Sequence, residues 1–283
     1  MKNIFSIAIL CLLGIMLSLP NTSLGQRTAE FITPSPTDNP ANDDTAKVQI
    51  VFAESLLGRL DGNQRIKTLV GNVQLRHKDV DMRCDSAIVI GNDVEAYGKV
   101  IIIQSDTVQI FADSAFYYGN ARETRLSGDV VLTDSNAKLF TDELDYDLNT
   151  KIASYDSGAI LETDETRLSS DRGYYFTKQG VAHFGGNVVV ADPNFSLTAD
   201  TLKVDTDKNI SYFIAPTNIL TKNNEQIYCE KGFYDSKNNY AEFEERARLK
   251  NKDGFAKAKK IRYDGDAEKI YLDGDAYFKN DKQ

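Results

Sequence analysis

After residue 47 the chain alternates apolar and polar positions in runs of about twelve residues, each closed by a short turn rich in Gly, Asn and Asp. Alternation with a period of two is typical of β-strands that bury one face. Turns such as Gly91-Asn92 and Gly119-Asn120 are signals for hairpins between neighbouring strands. Most turns lie 14 or 15 residues apart, which predicts about sixteen strands in an antiparallel meander.

Two short signatures repeat along these runs. The A-D-S-A-x-x-Y signature of residues 112–118 alternates with the L-S-G-D-V-V-L signature of residues 126–132, and successive copies lie 27 to 31 residues apart. A fixed period of this size predicts a repeat architecture. We therefore expect about eight two-strand repeats of roughly 29 residues over residues 48–283, an all-β domain.

The apolar phase slips by one residue at the acidic centre of the first signature. Around Asp113, the apolar positions are Ile110 and Ala112 before it, then Ala115 and Tyr117 after it. Such a slip marks a bulge or a corner. Glycine, which marks bends in strands, recurs at one position of the second signature: Gly71, Gly98, Gly128, Gly186 and Gly274. The pattern predicts strands that bend near their middle and together form a trough.

The inner face of this trough is predicted to be apolar, and its outer face to be rich in Asp, Lys, Thr and Asn. The predicted lining residues are Leu69, Val73, Leu75, Val100, Ile102, Leu126, Val130, Leu132, Phe184, Val188, Val190 and Ile219. Two interpretations are open: a lining that receives lipid, and a dry core, since buried apolar residues need no ligand.

A meander leaves its first and last strands unpaired on one side, here near residues 48–58 and 268–278. Unpaired edge strands are templates for another chain. We predict that Ile50, Phe52, Leu272 and Phe278 contact a partner of the same fold or a second copy, by strand addition.

The amino-terminal residues indicate export. Lys2, the apolar stretch 4–19 and the small residues before Gln26 are typical of a signal peptide over residues 1–25, cleaved near Gly25. Residues 26–47, with three prolines, are predicted to be a disordered lead. The formal net charge of −9 argues against a nucleic-acid partner, which would need a basic footprint.

The reactive residues favour structure over catalysis. Cys84 and Cys229 occupy the same position in copies five repeats apart and are predicted to be free and buried. His77 and His183 are predicted to lie at the surface or at an edge. The acidic residue of each repeat stands alone, whereas calcium needs several ligands within one loop. We predict no catalytic residue, no cofactor and no metal.

One basic run stands out from the acidic chain. Residues 246–262 contain eight Lys or Arg against one Asp. Two interpretations have equal weight: a solvated edge that prevents wrong strand pairing, and a contact for lipid phosphates or an acidic partner.

The repeated A-D-x-x-x-x-Y and G-N/D-V-x-L motifs, eight copies in register, resemble the OstA-like (organic-solvent-tolerance A)/LptA superfamily over about residues 48–279. The resemblance implies a bent antiparallel β-jelly roll in the periplasm whose apolar interior receives the acyl chains of lipopolysaccharide. It also implies stacking of such proteins into a bridge between the two membranes. Thr217 and Glu245 depart from the glycine of the motif.

The preferred interpretation is a non-enzymatic protein of the periplasm, associated with the outer membrane, that binds and transports lipopolysaccharide. Its partners would be lipopolysaccharide and other OstA-like envelope proteins or itself. The alternative is a structural or interaction β-solenoid of the cell envelope that holds no lipid. A carbohydrate-active parallel β-helix is disfavoured, because parallel strands do not need a hairpin at every half-repeat.

Overall fold

The computed structural model describes residues 47–104, 108–134, 137–163 and 166–280, and the predicted signal peptide and nearly all of the lead lie outside them. These residues form antiparallel strands and contain no helix that could cross a membrane. The strands are β1 (Gln49–Phe52), β2 (Ser55–Asp61), β3 (Gln64–His77), β4 (Val80–Ile90), β5 (Asp93–Gln104), β6 (Val108–Tyr118), β7 (Glu123–Thr133), β8 (Lys138–Asp147), β9 (Ile152–Tyr155), β10 (Ala159–Glu162), β11 (Arg167–Ser170), β12 (Arg172–Phe176), β13 (Val181–Ala191), β14 (Phe195–Asp205), β15 (Ile210–Phe213), β16 (Thr217–Thr221), β17 (Gln226–Cys229), β18 (Lys231–Asp235), β19 (Tyr240–Asn251), β20 (Gly254–Asp264), β21 (Lys269–Asp273) and β22 (Tyr277–Asn280).

We call one crossing of the sheet, from one turn to the next, a strand unit. The described strands form sixteen units, of which ten are single strands and six are divided in two near the middle. The divided units are β1/β2, β9/β10, β11/β12, β15/β16, β17/β18 and β21/β22. Each unit between the first and the last pairs with the one before and the one after, as β3 does with β2 and β4. The predicted meander of sixteen strands is confirmed.

The bends lie where the sequence places them. In the pairing of β7 with β8, Ser127 faces Glu143 and Val130 faces Thr141, so Gly128 and Asp129 together oppose Asp142. Both bulge residues have positive φ, 81° at Gly128 and 42° at Asp129. The same pair of positive φ values recurs at Gly71, Gly98, Gly186 and Gly274 and the residue after each.

The acidic residue of one unit covers the glycine of the next unit, and this explains why both recur. A Cβ at Gly128 would lie 2.8 Å from the Cβ of Asp113, closer than real Cβ contacts. The carboxylates bond less to the backbone than to the side chain after the glycine. Asn187 donates to Asp171 at 2.8 Å, and Asn72 donates to Glu54. The acidic position therefore has a structural role.

Burial follows the predicted alternation. In β7 the buried positions are Thr124, Leu126, Val130 and Leu132, and in β6 the buried phase shifts by one residue at Asp113. The buried apolar residues form one cluster that extends from Val48 to Ile261. The core therefore runs along almost the whole described chain.

The outer face, predicted to be rich in polar residues, also carries an apolar row in the middle of the sheet. Ile101, Phe111, Val131, Phe140 and Ile160 lie in register on five neighbouring units, each half-buried on the outer face. An open groove of about 460 Å³ lies beside this row. The bend carboxylates on its lining are those of Asp129, Asp142 and Asp171.

Candidate functional site: an apolar interior closed by a seam

The twelve predicted lining residues lie together inside the fold. All are buried, with exposed fractions from 0% at Leu69 and Val73 to 8% at Ile219, and all belong to the single apolar cluster. The inward position of these residues is thus as predicted. Their contact with lipid stays a prediction, because the same burial is typical of a dry core.

The bent strand units bring their two ends together. Rim A is the set of strand ends near the turns that join β2 to β3, β4 to β5, β6 to β7 and β8 to β9. Rim B is the set of opposite ends. The half of the sheet that leads to rim A is called arm A, and the half that leads to rim B is called arm B. Rim A contacts rim B about three units earlier in the chain. Residues that meet lie 39 to 44 positions apart, as Val48 and Asn92 do. We call this line of contacts the seam.

The amino-terminal part of the seam is a polar network. The His77 Nδ1 and Tyr117 hydroxyl lie 2.7 Å apart, and Arg122 forms an ion pair with Asp79. The Gln104 amide donates to Asp79 at 3.0 Å and to a main-chain carbonyl of rim A, at Leu148, at 2.8 Å. Because Gln104 is 2% exposed, these bonds lie almost out of water and hold the rims at a fixed distance.

Two ionisable groups of this network have shifted pKa values. Burial raises the pKa of Tyr117 to about 12, so its hydroxyl stays neutral at physiological pH. Partial burial acts to raise the pKa of Asp79, but hydrogen bonds from Gln104 and Arg122 outweigh it and hold that pKa below its usual value of 3.8. The seam therefore contains an ionised carboxylate at neutral pH.

Farther along the chain the seam becomes aromatic. The Tyr175 hydroxyl donates to Asp134, and burial raises the pKa of that tyrosine well above its usual range. Phe195 packs edge-on against Tyr234, with ring centroids 5.6 Å apart. These contacts close the same face of the interior with fewer hydrogen bonds.

The expectation of an open trough is wrong along the seam, because the rims touch there. Sequence reasoning also missed the role of His77, which was expected at the surface or at an edge and is 4% exposed. Tyr117, whose hydroxyl it meets, lies 40 residues away in sequence, so no local motif reveals the contact. His183 is half-buried on the outer face, as an edge or surface residue would be.

The interior is open at its two ends. At the amino-terminal end, Leu56 and Leu60 continue the inward row and are 56% and 72% exposed. At the carboxyl-terminal end, Ile270 and Phe278 do the same and are 45% and 61% exposed.

The predicted edges are also free of strand partners within the described residues. β1 and β2 pair only with β3, and β21 and β22 pair only with β20. Of the four predicted edge contacts, Phe52 and Phe278 are exposed, whereas Ile50 and Leu272 are partly buried and pack against the core. The unpaired edges are as predicted; a partner that uses them stays a prediction.

Among the described residues no cluster of His, Cys, Asp and Glu could hold a metal ion. Cys84 and Cys229 are free and buried, as predicted. Burial raises the pKa of the Cys84 thiol to about 11 and that of Cys229 to about 12, so both are protonated and unreactive at neutral pH. Neither cysteine is therefore a candidate for a nucleophile.

The fold and its interior define a class: bent antiparallel repeat proteins with an apolar space between two arms. The family of OstA-like proteins matches residues 45–200, more than half of the chain. The family described as LptA/(LptD N-terminal domain) LPS transport protein matches residues 167–283. The chain belongs to the OstA-like family.

Other comparisons add little. No curated protein matches the sequence. Solved structures similar to it include that of LptH from Pseudomonas aeruginosa, described as the LptA-homologous periplasmic component of the lipopolysaccharide transport device. That structure is 23% identical, with a TM-score of 0.36, over 38% of this chain and 82% of LptH.

Proposed function

We propose that this protein is a periplasmic, non-enzymatic component of lipopolysaccharide transport. Its membership of the OstA-like family supports the general role, as does the match of its carboxyl-terminal part to proteins described by lipopolysaccharide transport. The observation that carries the proposal is the continuous apolar interior, closed along the seam and open at both ends. Acyl chains would enter this interior, and the saccharide would stay in water.

The energies permit such a mechanism. Each methylene removed from water contributes about 0.8 kcal/mol, so ten buried methylenes contribute about 8 kcal/mol. Each hydrogen bond of the seam contributes a net 0.5 to 1.5 kcal/mol or so. Burial of one acyl chain can therefore offset the loss of several seam contacts. The arms would separate as lipid enters, and the uniform lining would let it slide.

A second candidate is an envelope interaction protein whose interior is only a core. The complete burial of Leu126 and Val130 favours it, because the interior is already filled. The two candidates differ in what the interior touches when lipopolysaccharide is present.

Photocrosslinking to lipopolysaccharide distinguishes the two candidate functions. A photoreactive leucine analogue would be placed at Leu126, inside the fold, and in a matched protein at Leu220, which is 44% exposed on the outer face. We expect lipopolysaccharide adducts at position 126 and few at 220. If position 126 gives no adduct in a folded protein while lipid is present in excess, the interior is a dry core and the transport proposal is wrong.

We also propose that the two edge strands join this protein to copies of itself or to other proteins of the same fold. Joining the last unit of one copy to the first of another builds an open filament. Sedimentation over a wide concentration range should show association that Phe278→Lys weakens at least tenfold. Tyr174→Lys, an equally exposed aromatic away from the edges, should leave it unchanged. A strict monomer at high concentration would contradict this assembly.

A further inference from the structure

The basic run of residues 246–262 divides into two groups in the fold. On arm A, Lys260 lies 2.7 Å from Glu242 and Arg262 lies 2.7 Å from Asp273. At the bend, Arg246 pairs with Glu230 and Lys259 with Asp275. On arm B, by contrast, Arg248, Lys250 and Lys257 form no ion pair with a carboxylate among the described residues; the nearby Glu230, whose pKa is lowered by Arg246 and more weakly by Arg248, is paired with Arg246. The three cations of arm B project from the outer face of the sheet and are exposed.

The unpaired cations are arranged in straight rows with aromatic rings. Tyr228, Arg248, Lys257 and Tyr277 lie in register on four neighbouring units. In the next row, Lys250 faces Phe255. We call these six residues the basic-aromatic face.

The rings hold the cations in place. The Arg248 guanidinium lies 5.6 Å from the ring centroid of Tyr228, and the Lys257 ammonium lies 5.4 Å from that of Tyr277. Both distances are within the cation–π range of about 6 Å. A cation held over an aromatic ring keeps its charge but has less conformational freedom. Less side-chain entropy is therefore lost when it binds an anion.

The same outer row has a different character elsewhere. In the middle of the sheet it is made of Ile101, Phe111, Val131, Phe140 and Ile160, and toward the last edge it becomes basic and aromatic. On a chain of net charge −9 this local excess of positive charge favours an anionic partner.

We propose that the basic-aromatic face binds the phosphate-bearing headgroups of a lipid surface and seats the carboxyl-terminal end of the protein on a membrane. Arg and Lys with Tyr and Phe are the residues that lie at membrane interfaces, the cations on phosphates and the rings at headgroup depth. The face extends over four neighbouring strand units, which fits an extended surface better than it fits a single small anion.

The test uses vesicles and no lipopolysaccharide, so its result is independent of the transport proposal. The full exported chain is mixed with vesicles of phosphatidylglycerol and phosphatidylcholine in equal parts, or of phosphatidylcholine alone, and bound protein is measured by flotation. We expect at least tenfold tighter binding to the anionic vesicles at low salt, with the difference falling as salt rises.

A charge-matched pair of variants locates the site. Arg248→Gln/Lys250→Gln/Lys257→Gln should reduce binding to anionic vesicles at least tenfold. Lys178→Gln/Lys203→Gln/Lys237→Gln removes the same charge from arm A and its turns, including a lysine 5.2 Å from the Tyr212 ring, and should reduce it less than threefold. Equal thermal unfolding midpoints would show that both variants are folded.

Three results would overturn the proposal. Equal losses in the two triple variants would mean that only overall charge acts. Equal binding to neutral vesicles would assign the contact to the apolar edge alone. Binding to polyglutamate that the first triple variant abolishes, without binding to anionic vesicles, would assign the face to an acidic protein partner.

Discussion

Two bends at equivalent positions, one in β7 and one in β19, have the same backbone and different residues. In β7 the bulge is Gly128-Asp129, with φ values of 81° and 42°. In β19 it is Glu245-Arg246, with φ values of 54° and 58°. Both bulges put two residues opposite one on the next strand, Asp142 in the first case and Lys259 in the second.

The difference shows that the bend is imposed by the pairing of the strands and does not require a glycine. Left-handed backbone costs about 1 to 2 kcal/mol for a residue with a side chain, and glycine avoids this. In β19 no glycine is present, and ion pairs surround the bulge: Arg246 with Glu230, and Lys231 with Glu245 at 2.6 Å. Exposed pairs contribute at most about 1 kcal/mol each, so the bend in β19 remains the weaker one.

The seam differs between the same two regions. The amino-terminal part is held by His77, Asp79, Gln104 and Arg122 through hydrogen bonds and an ion pair. The carboxyl-terminal part is held by the packing of Phe195 on Tyr234. We therefore expect the carboxyl-terminal region to open first, and the following experiments test this contrast.

The largest effect is expected at the glycine bend. Gly128→Ala introduces a Cβ 2.8 Å from that of Asp113 at a φ of 81°, so strain and overpacking together should lower the free energy of unfolding by about 2 to 4 kcal/mol. Denaturant unfolding measures it. Glu245→Ala, at the equivalent position of β19, should change it by less than about 1 kcal/mol. Equal losses at both positions would remove the distinction between the bends.

The reverse change should stabilise the weaker bend. Glu245→Gly relieves the left-handed strain and loses only a half-exposed ion pair with Lys231, so we expect a gain of about 1 kcal/mol in the free energy of unfolding. Glu244→Gly, one residue earlier in ordinary strand backbone, should instead lower it by about 1 kcal/mol. If both variants are destabilised, the bend in β19 is not strained.

Acid should weaken the polar part of the seam and not the packing of Phe195 on Tyr234. The pKa of Asp79 is lower in the folded protein than its usual 3.8, so its charge stabilises the fold above that pH, and this stabilisation is lost as the pH falls through the folded pKa. Asp79→Asn should thus lower stability by about 1 kcal/mol at pH 7 and by much less near pH 2.

The control variant for this pH experiment is Tyr234→Phe, in the aromatic part of the seam. Burial raises the pKa of Tyr234 to about 12, so the side chain stays neutral across the acid range. This variant should change stability equally at both pH values. An Asp79→Asn effect that does not depend on pH would contradict the ionised seam.

The smallest expected effect is a difference in alkylation rate between two thiols, that of Cys84 in the amino-terminal region and that of Cys229 in the carboxyl-terminal region. Cys84 and Cys229 are buried and protonated at neutral pH, so alkylation has to wait for local opening. Mass spectrometry of the native protein should show slow labelling of both, with Cys229, beside the divided unit β17/β18, labelled severalfold faster. Faster labelling of Cys84 would show that the regional difference is reversed. A disulfide between the two cysteines would show that the fold is wrong.

The repeat, the number of strand units and the bends could all be predicted from the sequence. The reason is local: alternation, hairpin turns and the recurrence of Asp113 and Gly128 all act between neighbouring units. The same locality gave the inward position of Leu126 and Val130, because a period of two fixes which face a residue lies on.

The way in which the bent sheet closes, by contrast, is visible only in the folded chain. His77 meets Tyr117 and Gln104 meets Tyr146 across three units, at a distance set by the accumulated twist of the sheet, which no local pattern encodes. The same holds for the separation of the basic run, since Lys257 and Lys260 are three residues apart but lie on different arms. Lys260 forms ion pairs with Glu242 and Glu244, whereas Lys257, beyond the bend, forms none among the described residues.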